Sequence, residues 1–240
     1  MRPRWRRALA GAIAVLAVLL VNLGYQVARK PAELFSPVAG ALDKSPAETW
    51  RQYAPIFREH ATPLVSAELL AALAQAEGAG NPVALTPWRF SLVTEPFEIY
   101  RPASSAVGMY QITDGTFEQA RRYCIHDHAS VQAGAWYDWR SCWFNALYLR
   151  VLPSDAAEMT SAFLDRNVAA ILARRRLAQA SARQKRDLAA AIHLCGVAAA
   201  EAFAAQGFRA AGRRCGRHDL QAYLARVESL RRVFAGMSGA

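Results

Sequence analysis

Glu77 is the residue whose position in the sequence best suits acid–base chemistry. The stretch Ser66 to Asn81 predicts a helix that Ser66 caps, with Leu70 and Leu73 at helical spacing. Glu77 follows Leu73 by four residues, so it should project from the apolar face at the helix carboxyl end. Burial and the helix dipole both disfavour a charged carboxylate there, and general acid catalysis requires a protonated one. The alternative is a glutamate that faces solvent where the helix frays.

A second stretch, residues 104–117, carries side chains suited to binding a sugar. Gly108 would let the backbone approach a ligand or another element closely. Met109, Tyr110 and Gln111 offer an apolar surface, a ring and an amide, a combination that suits a sugar with an N-acetyl group. Alternatively, Met109 and Tyr110 belong to the core and Gln111 to the surface.

The order of these motifs resembles the lytic transglycosylase domain of soluble lytic transglycosylases, a family similar to goose-type lysozymes. The family pattern is Glu-Ser, Asn-Pro-x-Ala, Gly-Leu-Met-Gln and, on a later helix, Ala-Tyr-Asn-Ala-Gly. The corresponding stretches here are Ala76–Gly78, Asn81–Ala84, Gly108–Thr113 and Ile192–Gly196. The resemblance covers roughly residues 60 to 200 and implies an α-rich, lysozyme-like catalytic domain.

The resemblance also implies a reaction, cleavage of the N-acetylmuramic acid–N-acetylglucosamine β-1,4 bond of peptidoglycan. Glu77 would protonate the leaving oxygen and then deprotonate the sugar's own C6 hydroxyl, which gives a 1,6-anhydromuramic acid. Most glycosidases use two carboxylates, whereas this lytic route needs one. Gly108, Met109, Tyr110 and Gln111 would line the sugar cleft, and no metal or cofactor is implied.

Several positions depart from the family pattern. Gly78 stands where the family has Ser, and His193 stands where it has Tyr, although an imidazole can also donate a hydrogen bond. The hydroxyl that bonds the N-acetyl group would be that of Thr86, Ser104 or Ser105.

A segment rich in aromatic residues is inserted between Ala84 and Ser104. It predicts a loop or a small hairpin. Its side chains would either border the cleft and stack on sugars or pack the hairpin against the helices. They are Trp88, Arg89, Phe90, Phe97, Tyr100 and Arg101.

Two other functions remain open. One is a hydrolysing muramidase in which Glu95 or Glu98 positions a water, while Asp114 is predicted to be a helix cap. The other is a non-catalytic wall-binding scaffold. A specialised enzyme of an envelope-spanning secretion or conjugation machine would also fit.

The amino-terminal segment, residues 1–30, predicts a membrane anchor or a signal peptide. Four arginines precede an apolar run from Ala8 to about Gly24. We favour the anchor, because Gln26-Val27-Ala28 has a bulky polar residue where a small-x-small cleavage site needs a small one, and the segment up to Ala28 reaches the roughly 20 residues that cross a bilayer. The basic end should remain in the cytoplasm, which places the domain at the periplasmic face of the inner membrane, or free in the periplasm if the segment is cleaved.

The net charge and the length of the chain limit its possible partners and its number of domains. The net charge is +10, but the first thirty residues contain six basic and no acidic residues, which leaves +4 for the rest. This excess does not indicate a nucleic-acid partner. Residues 31–45 predict a linker, and residues 46–240 suffice for one domain.

Hydrophobic periodicity predicts an all-α or α-dominated (α+β) fold. A capping box at Ser45 opens a helix to about His60. Thr113 or Asp114 should cap a helix that runs through Cys124. Further helices are expected over 140–150, 155–179, 182–195, 197–205 and 219–234.

The cysteines predict disulfides, since an exported domain meets an oxidising compartment. Of three possible connectivities we prefer the sequence-local one. Metal binding by Cys124, His126 and His128 matches no usual zinc pattern. The preferred pairs are Cys124–Cys142 and Cys195–Cys215.

Overall fold

A computed structural model describes residues 2–35, 38–90, 100–138 and 141–239, without the side chains of residues 2–4 and 143. Over these residues the fold is helix-dominated, as predicted. The α-helices are α1 (Arg2–Arg29), α2 (Pro46–Glu59), α3 (Ala67–Gly78), α4 (Asp114–Ala120), α5 (Pro153–Arg174), α6 (Ala182–Cys195), α7 (Val197–Ala205) and α8 (Leu220–Ser238). Antiparallel two-stranded ribbons pair β1 (Trp88–Phe90) with β2 (Tyr100–Pro102), β3 (Tyr123–His126) with β4 (Ala129–Gln132), and β5 (Arg214–Cys215) with β6 (His218–Asp219).

Local capping explains where the main helices begin. The Ser45 side chain accepts a hydrogen bond from the Glu48 backbone N–H, and the Glu48 carboxylate accepts one from the Ser45 N–H, so the predicted capping box is confirmed. The Ser66 side chain accepts from the Leu69 N–H and caps α3, and the Asp219 side chain accepts from the Ala222 N–H and caps α8. Helix α4 is capped by Thr113, so the prediction of Asp114 as the cap is wrong and Asp114 is the first residue of the helix. Each cap satisfies backbone donors that a helix leaves unpaired, which stabilises the fold by about 1 kcal/mol.

Helix α3 lies at the centre of the core. Leu69, Leu70 and Leu73 are buried between α2, α5 and α8. Helix α8 runs antiparallel to α3. At one end of the pair the Ser238 hydroxyl donates to Glu68, and at the other end residues of α8 reach the carboxyl end of α3.

Two helix predictions are wrong. Helix α4 ends at Ala120, and Cys124 lies in strand β3, where the next backbone N–H donates to the Glu158 carboxylate. The predicted helix over 140–150 is a short 3-10 helix, Trp143–Leu147. In both places a disulfide and long-range hydrogen bonds outweigh local helical preference. Helix α5 also ends earlier than predicted, at Arg174.

The disulfide pairing is as predicted. Cys124 bonds Cys142, and Cys195 bonds Cys215. The second bridge joins the last residue of α6 to the β5–β6 ribbon, which leads directly into α8. These bridges indicate an oxidising compartment.

The amino-terminal apolar helix is also as predicted. The span Trp5–Arg29 is long and apolar enough to cross a membrane. Most of its side chains are exposed, whereas Asn22 and Gln26 are buried against the rest of the protein. The segment 31–45, predicted as a linker, forms two 3-10 helices, Pro31–Phe35 and Ala39–Leu42.

Candidate active site

Glu77 lies in the last turn of α3 and is half-buried. The hydroxyl of Tyr223, in the first turn of α8, donates a hydrogen bond to Glu77 Oε1 at 2.5 Å. Burial raises the pKa of Tyr223 well above its usual value, and the charge and hydrogen bond of Glu77 raise it further. Tyr223 is therefore a neutral donor that orients the carboxyl group of Glu77.

His193 lies close enough to Glu77 to interact with it electrostatically. Burial lowers the pKa of His193, and the charge of Glu77 and a hydrogen bond to the Tyr110 backbone only partly oppose this effect. The imidazole is therefore neutral near neutral pH. Its ring meets the edge of the Tyr110 ring, with centroids 6.3 Å apart.

The hydroxyl that bonds Glu77 thus comes from α8, whereas the resemblance had implied one at position 193 of α6. Tyr223 does not stand out in the sequence, because its helical spacing with Leu220, Leu224 and Val227 is typical of a core position on an apolar helix face. A tyrosine hydroxyl on the apolar face of a helix usually needs a hydrogen-bond partner, and this need was the signal in the sequence that could have pointed to Tyr223.

Two cavities border this group of residues. The larger, of about 470 Å³, lies among α4, α5 and α6 and is lined by His193, Tyr110, Gln111 and Thr160 among others. The smaller, of about 330 Å³, is lined by Glu77 and by two residues that sequence analysis did not single out, Asp43 and Arg226. The two residues that interact electrostatically, Glu77 and His193, therefore each line one of the cavities.

Two hydroxyl groups in the wall of the larger cavity lack a partner. The Tyr110 hydroxyl and Thr160 Oγ1 are buried, and neither has a hydrogen-bond partner within the described part of the chain. Such groups cost free energy unless they are satisfied by water or by a ligand. Both atoms are enclosed by neighbouring residues, so neither is exposed to a molecule in the cavity.

Glycines allow the backbone around Glu77 to pack closely. A Cβ at Gly78 would lie 2.9 Å from Met109 Cα and 3.0 Å from Met109 O, so only glycine lets α3 meet this turn without a shift. Gly108 has a φ of 79°, and its Cβ would lie 2.3 Å from the carbonyl oxygen of Arg150. Gly108 thus permits the approach of another element, one of the two roles predicted for it.

The other residues of the turn support it from inside. Met109 and Tyr110 are fully buried in the core, as the alternative interpretation had it, and Tyr110 also lines the larger cavity. The Gln111 side-chain amide donates to the backbone carbonyls of Ala84 and Gly108, so its NH₂ group braces the turn.

Thr86, Ser104 and Ser105, the candidates for the hydroxyl that bonds the N-acetyl group, form hydrogen bonds within the protein. Thr86 bonds the backbone of Ser104. Ser104 Oγ accepts from the Ala106 N–H, and Ser105 Oγ accepts from the Asp114 N–H at the start of α4. None of the three lines the two cavities as far as the structure describes them.

No protein-family model and no curated protein matches this chain. The assignment of a function therefore depends on the geometry of Glu77 and its neighbours and on the order of the motifs.

The described strands of the inserted segment, β1 and β2, pair antiparallel as in a hairpin, one of the two predicted structures. Trp88 packs on Tyr100 with ring centroids 5.2 Å apart, and the Trp88 indole N–H donates to the Glu33 carboxylate. Residues 88–90 and 100–102 line neither cavity in the described structure. Glu95, Phe97 and Glu98 lie outside the described residues.

The candidate metal ligands lie on the β3–β4 ribbon. The Cys124 sulfur is in a disulfide, and His128 Nδ1 is hydrogen-bonded to the Ala61 carbonyl at 2.9 Å. Among the described residues, no three His, Cys, Asp or Glu side chains are grouped to hold a metal ion.

Proposed function

We propose that this protein is a membrane-anchored lytic transglycosylase that cuts the N-acetylmuramic acid–N-acetylglucosamine β-1,4 bond of peptidoglycan. The observation that carries the proposal is the oriented carboxyl group of Glu77, which Tyr223 holds by one oxygen in the wall of a cavity. The other oxygen, Oε2, has no hydrogen-bond partner among the described residues. It is therefore free to exchange a proton with a substrate.

The proposed reaction uses this oxygen twice. Protonated Glu77 gives its proton to the glycosidic oxygen as the bond to the leaving sugar breaks, and the substrate's N-acetyl oxygen stabilises the positive charge at C1. The carboxylate then takes the proton of the C6 hydroxyl, whose oxygen bonds to C1 and forms the 1,6-anhydro ring. Glu77 ends protonated again, so one carboxylate completes the cycle.

The larger cavity supports a sugar substrate. Its lining combines apolar side chains with the polar side chains of Gln111, Thr113 and His193, a mixture that suits an N-acetylated sugar. The neutral His193 adds a polar group between this cavity and Glu77. We propose peptidoglycan glycan strands as the substrate and a lysozyme-like arrangement for residues 46–240.

The proposed location is the periplasmic face of the inner membrane. Trp5 and Tyr25 lie near the two ends of the apolar run of α1, twenty residues apart, which is about 30 Å along a helix and close to the thickness of a hydrocarbon core. The contacts of Asn22 and Lys30 with the domain favour retention of this helix as an anchor. A single anchor and an inserted hairpin also suit a specialised enzyme of a secretion or conjugation machine.

Mass spectrometry of purified peptidoglycan after incubation with the full-length protein in detergent tests the proposal. We expect 1,6-anhydromuramic ends. Glu77→Gln keeps the shape of the side chain but removes the transferable proton, so we expect a loss of product at an unchanged melting temperature. General acid catalysis contributes about 10²–10⁴-fold. Activity of Glu77→Gln within about tenfold of wild type would contradict the proposed role.

A hydrolytic muramidase is the second candidate, because Asp43 lines the same cavity as Glu77. Asp43 Oδ1 accepts a hydrogen bond from Asn81 Nδ2 at 2.8 Å, so the carboxylate is held in place. A second carboxylate could activate a water. Reducing muramic acid ends, lost in Asp43→Asn, would favour hydrolysis, whereas binding to peptidoglycan without either product would favour a wall-binding scaffold.

A further inference from the structure

The carboxyl end of α1 is joined to the β1–β2 hairpin by polar contacts. Asn22 Nδ2 donates to the Tyr100 carbonyl at 3.0 Å. Lys30 Nζ donates to the Ser104 carbonyl at 3.2 Å and also pairs with Glu33. The same Glu33 carboxylate accepts the indole N–H of Trp88, so both strands are connected to the segment that contains the end of α1.

These contacts show that the hairpin runs alongside α1 towards the apolar run. From Lys30 back to Asn22 is about 12 Å along a helix. From Ser104 back to Tyr100 is about 13 Å along a strand. Since the two distances agree, the strands follow the last two turns of α1, and the Phe90–Tyr100 pair lies at the level of Asn22.

The Phe90–Tyr100 pair is aromatic, and its Phe90 ring is exposed. Phe90 is 79% exposed, and its ring stacks on Tyr100 with centroids 4.7 Å apart. Asn22 is one turn from Tyr25, which marks the outer end of the apolar run. The Phe90–Tyr100 pair therefore lies at the depth where aromatic side chains concentrate at membrane–water interfaces.

We propose that the β1–β2 hairpin lies against the lipid headgroup region beside α1, with the Phe90 and Tyr100 rings in the membrane interface. Phospholipid is the partner of this surface, since the surface is continuous with the lipid-facing side chains of α1. The hairpin then gives the domain a second contact with the bilayer, and this contact fixes the domain's orientation on the membrane. The inference rests on the proposed anchoring by α1, but not on the proposed catalytic activity.

Quenching by brominated lipids tests the proposal. Single cysteines replace Phe90, Val15 in the middle of α1, or Ser229, which is exposed on α8. Each full-length variant carries an environment-sensitive fluorophore in nanodiscs of phosphatidylethanolamine and phosphatidylglycerol. Val15 reports anchoring alone, and Ser229 is the matched exposed control away from the hairpin.

We expect lipids brominated near the headgroup to quench the probe at position 90, lipids brominated near the bilayer centre to quench the probe at position 15, and neither to quench the probe at position 229. Quenching at 15 without quenching at 90 would overturn the hairpin contact and leave the anchor intact. No quenching at either position would overturn both. Quenching at 90 that equals the signal at 229 would also overturn the proposal, since the contact would not be specific to the hairpin.

Discussion

Replacing Tyr223 by Phe removes one hydroxyl and leaves the ring in place. The lost hydrogen bond joins the hydroxyl to Glu77 Oε1 at 2.5 Å. Glu77 becomes charged as it gives up its proton, and a hydrogen bond to a charged group contributes about 1.5–3 kcal/mol. Each 1.4 kcal/mol corresponds to about a factor of ten in rate. If the bond orients the proton-transferring carboxyl group, Tyr223→Phe should lower kcat by roughly 10- to 150-fold and change KM little, because the hydroxyl acts through Glu77.

A matched control separates positioning from stability. The Tyr148 hydroxyl donates to Glu158 Oε2, also at 2.5 Å, and Tyr148 lines neither cavity described above. Glu158 is only 9% exposed, so Tyr148→Phe should destabilise the fold by about 1–3 kcal/mol. Glu77 is half-buried and water can replace the lost donor, so Tyr223→Phe should cost less stability.

The assay is the initial rate of anhydromuropeptide release from purified peptidoglycan by full-length protein, with the melting temperature of each variant. We expect Tyr223→Phe to lose kcat at a nearly unchanged melting temperature. Tyr148→Phe should keep its kcat per folded molecule and lose about 2–4 °C for each kcal/mol. A Tyr223→Phe enzyme with wild-type kcat would refute the role of the hydroxyl, and an equal loss of kcat in Tyr148→Phe would show that the effect is not specific to Glu77.

Four further changes test other parts of the structure. Gly78→Ala should cost about 1–3 kcal/mol by crowding a backbone, whereas the control Gly236→Ala, in open space on α8, should gain about 0.5–1 kcal/mol in chemical denaturation. Trp88→Ala should lower the melting temperature and leave turnover per folded molecule unchanged. Lower turnover at an unchanged melting temperature would instead place the side chain in the cleft. Cys215→Ser should cost roughly 3 kcal/mol and lower kcat, since the bridge ties α6 to the start of α8. Burial lowers the pKa of His193, so the neutral imidazole contributes fully to the stability of the fold above pH 6.5, its ordinary pKa, and less below that pH. The melting temperature of His193→Gln should therefore depend on pH less steeply than that of wild type, and an equally steep dependence would contradict this.

The parts of the fold that sequence predicted well are those with local signals. Ser45 and Ser66 cap their helices through bonds to residues three positions along the chain, so their effect is visible in a short window. The disulfides also join neighbours in sequence. Cys124 was wrongly placed in a helix, because the strand that holds it depends on pairing with β4 and on a bond to Glu158, thirty-three residues from Ile125.

The candidate site was only partly predictable for the same reason. Glu77 could be found because helical spacing and a helix end are local patterns. Tyr223 and Asp43 could not, since each reaches the site from a distant segment and neither belongs to a motif. Met109 is an apolar residue that would suit a cleft wall, but it lies in the core. Spacing in the sequence does not show which face of a turn meets solvent.

The distance along the chain between Glu77 and Tyr223 has a consequence for the order in which the protein matures. The two residues are 146 positions apart, and the donor lies in the final helix. If the amino end stays in the cytoplasm and the domain is translocated from its amino-terminal side, Glu77 would be outside well before α8 arrives to orient its carboxyl group. The side of α3 that packs on α8 would also remain uncovered until then. The proposed wall-cutting activity would therefore begin only once translocation is complete.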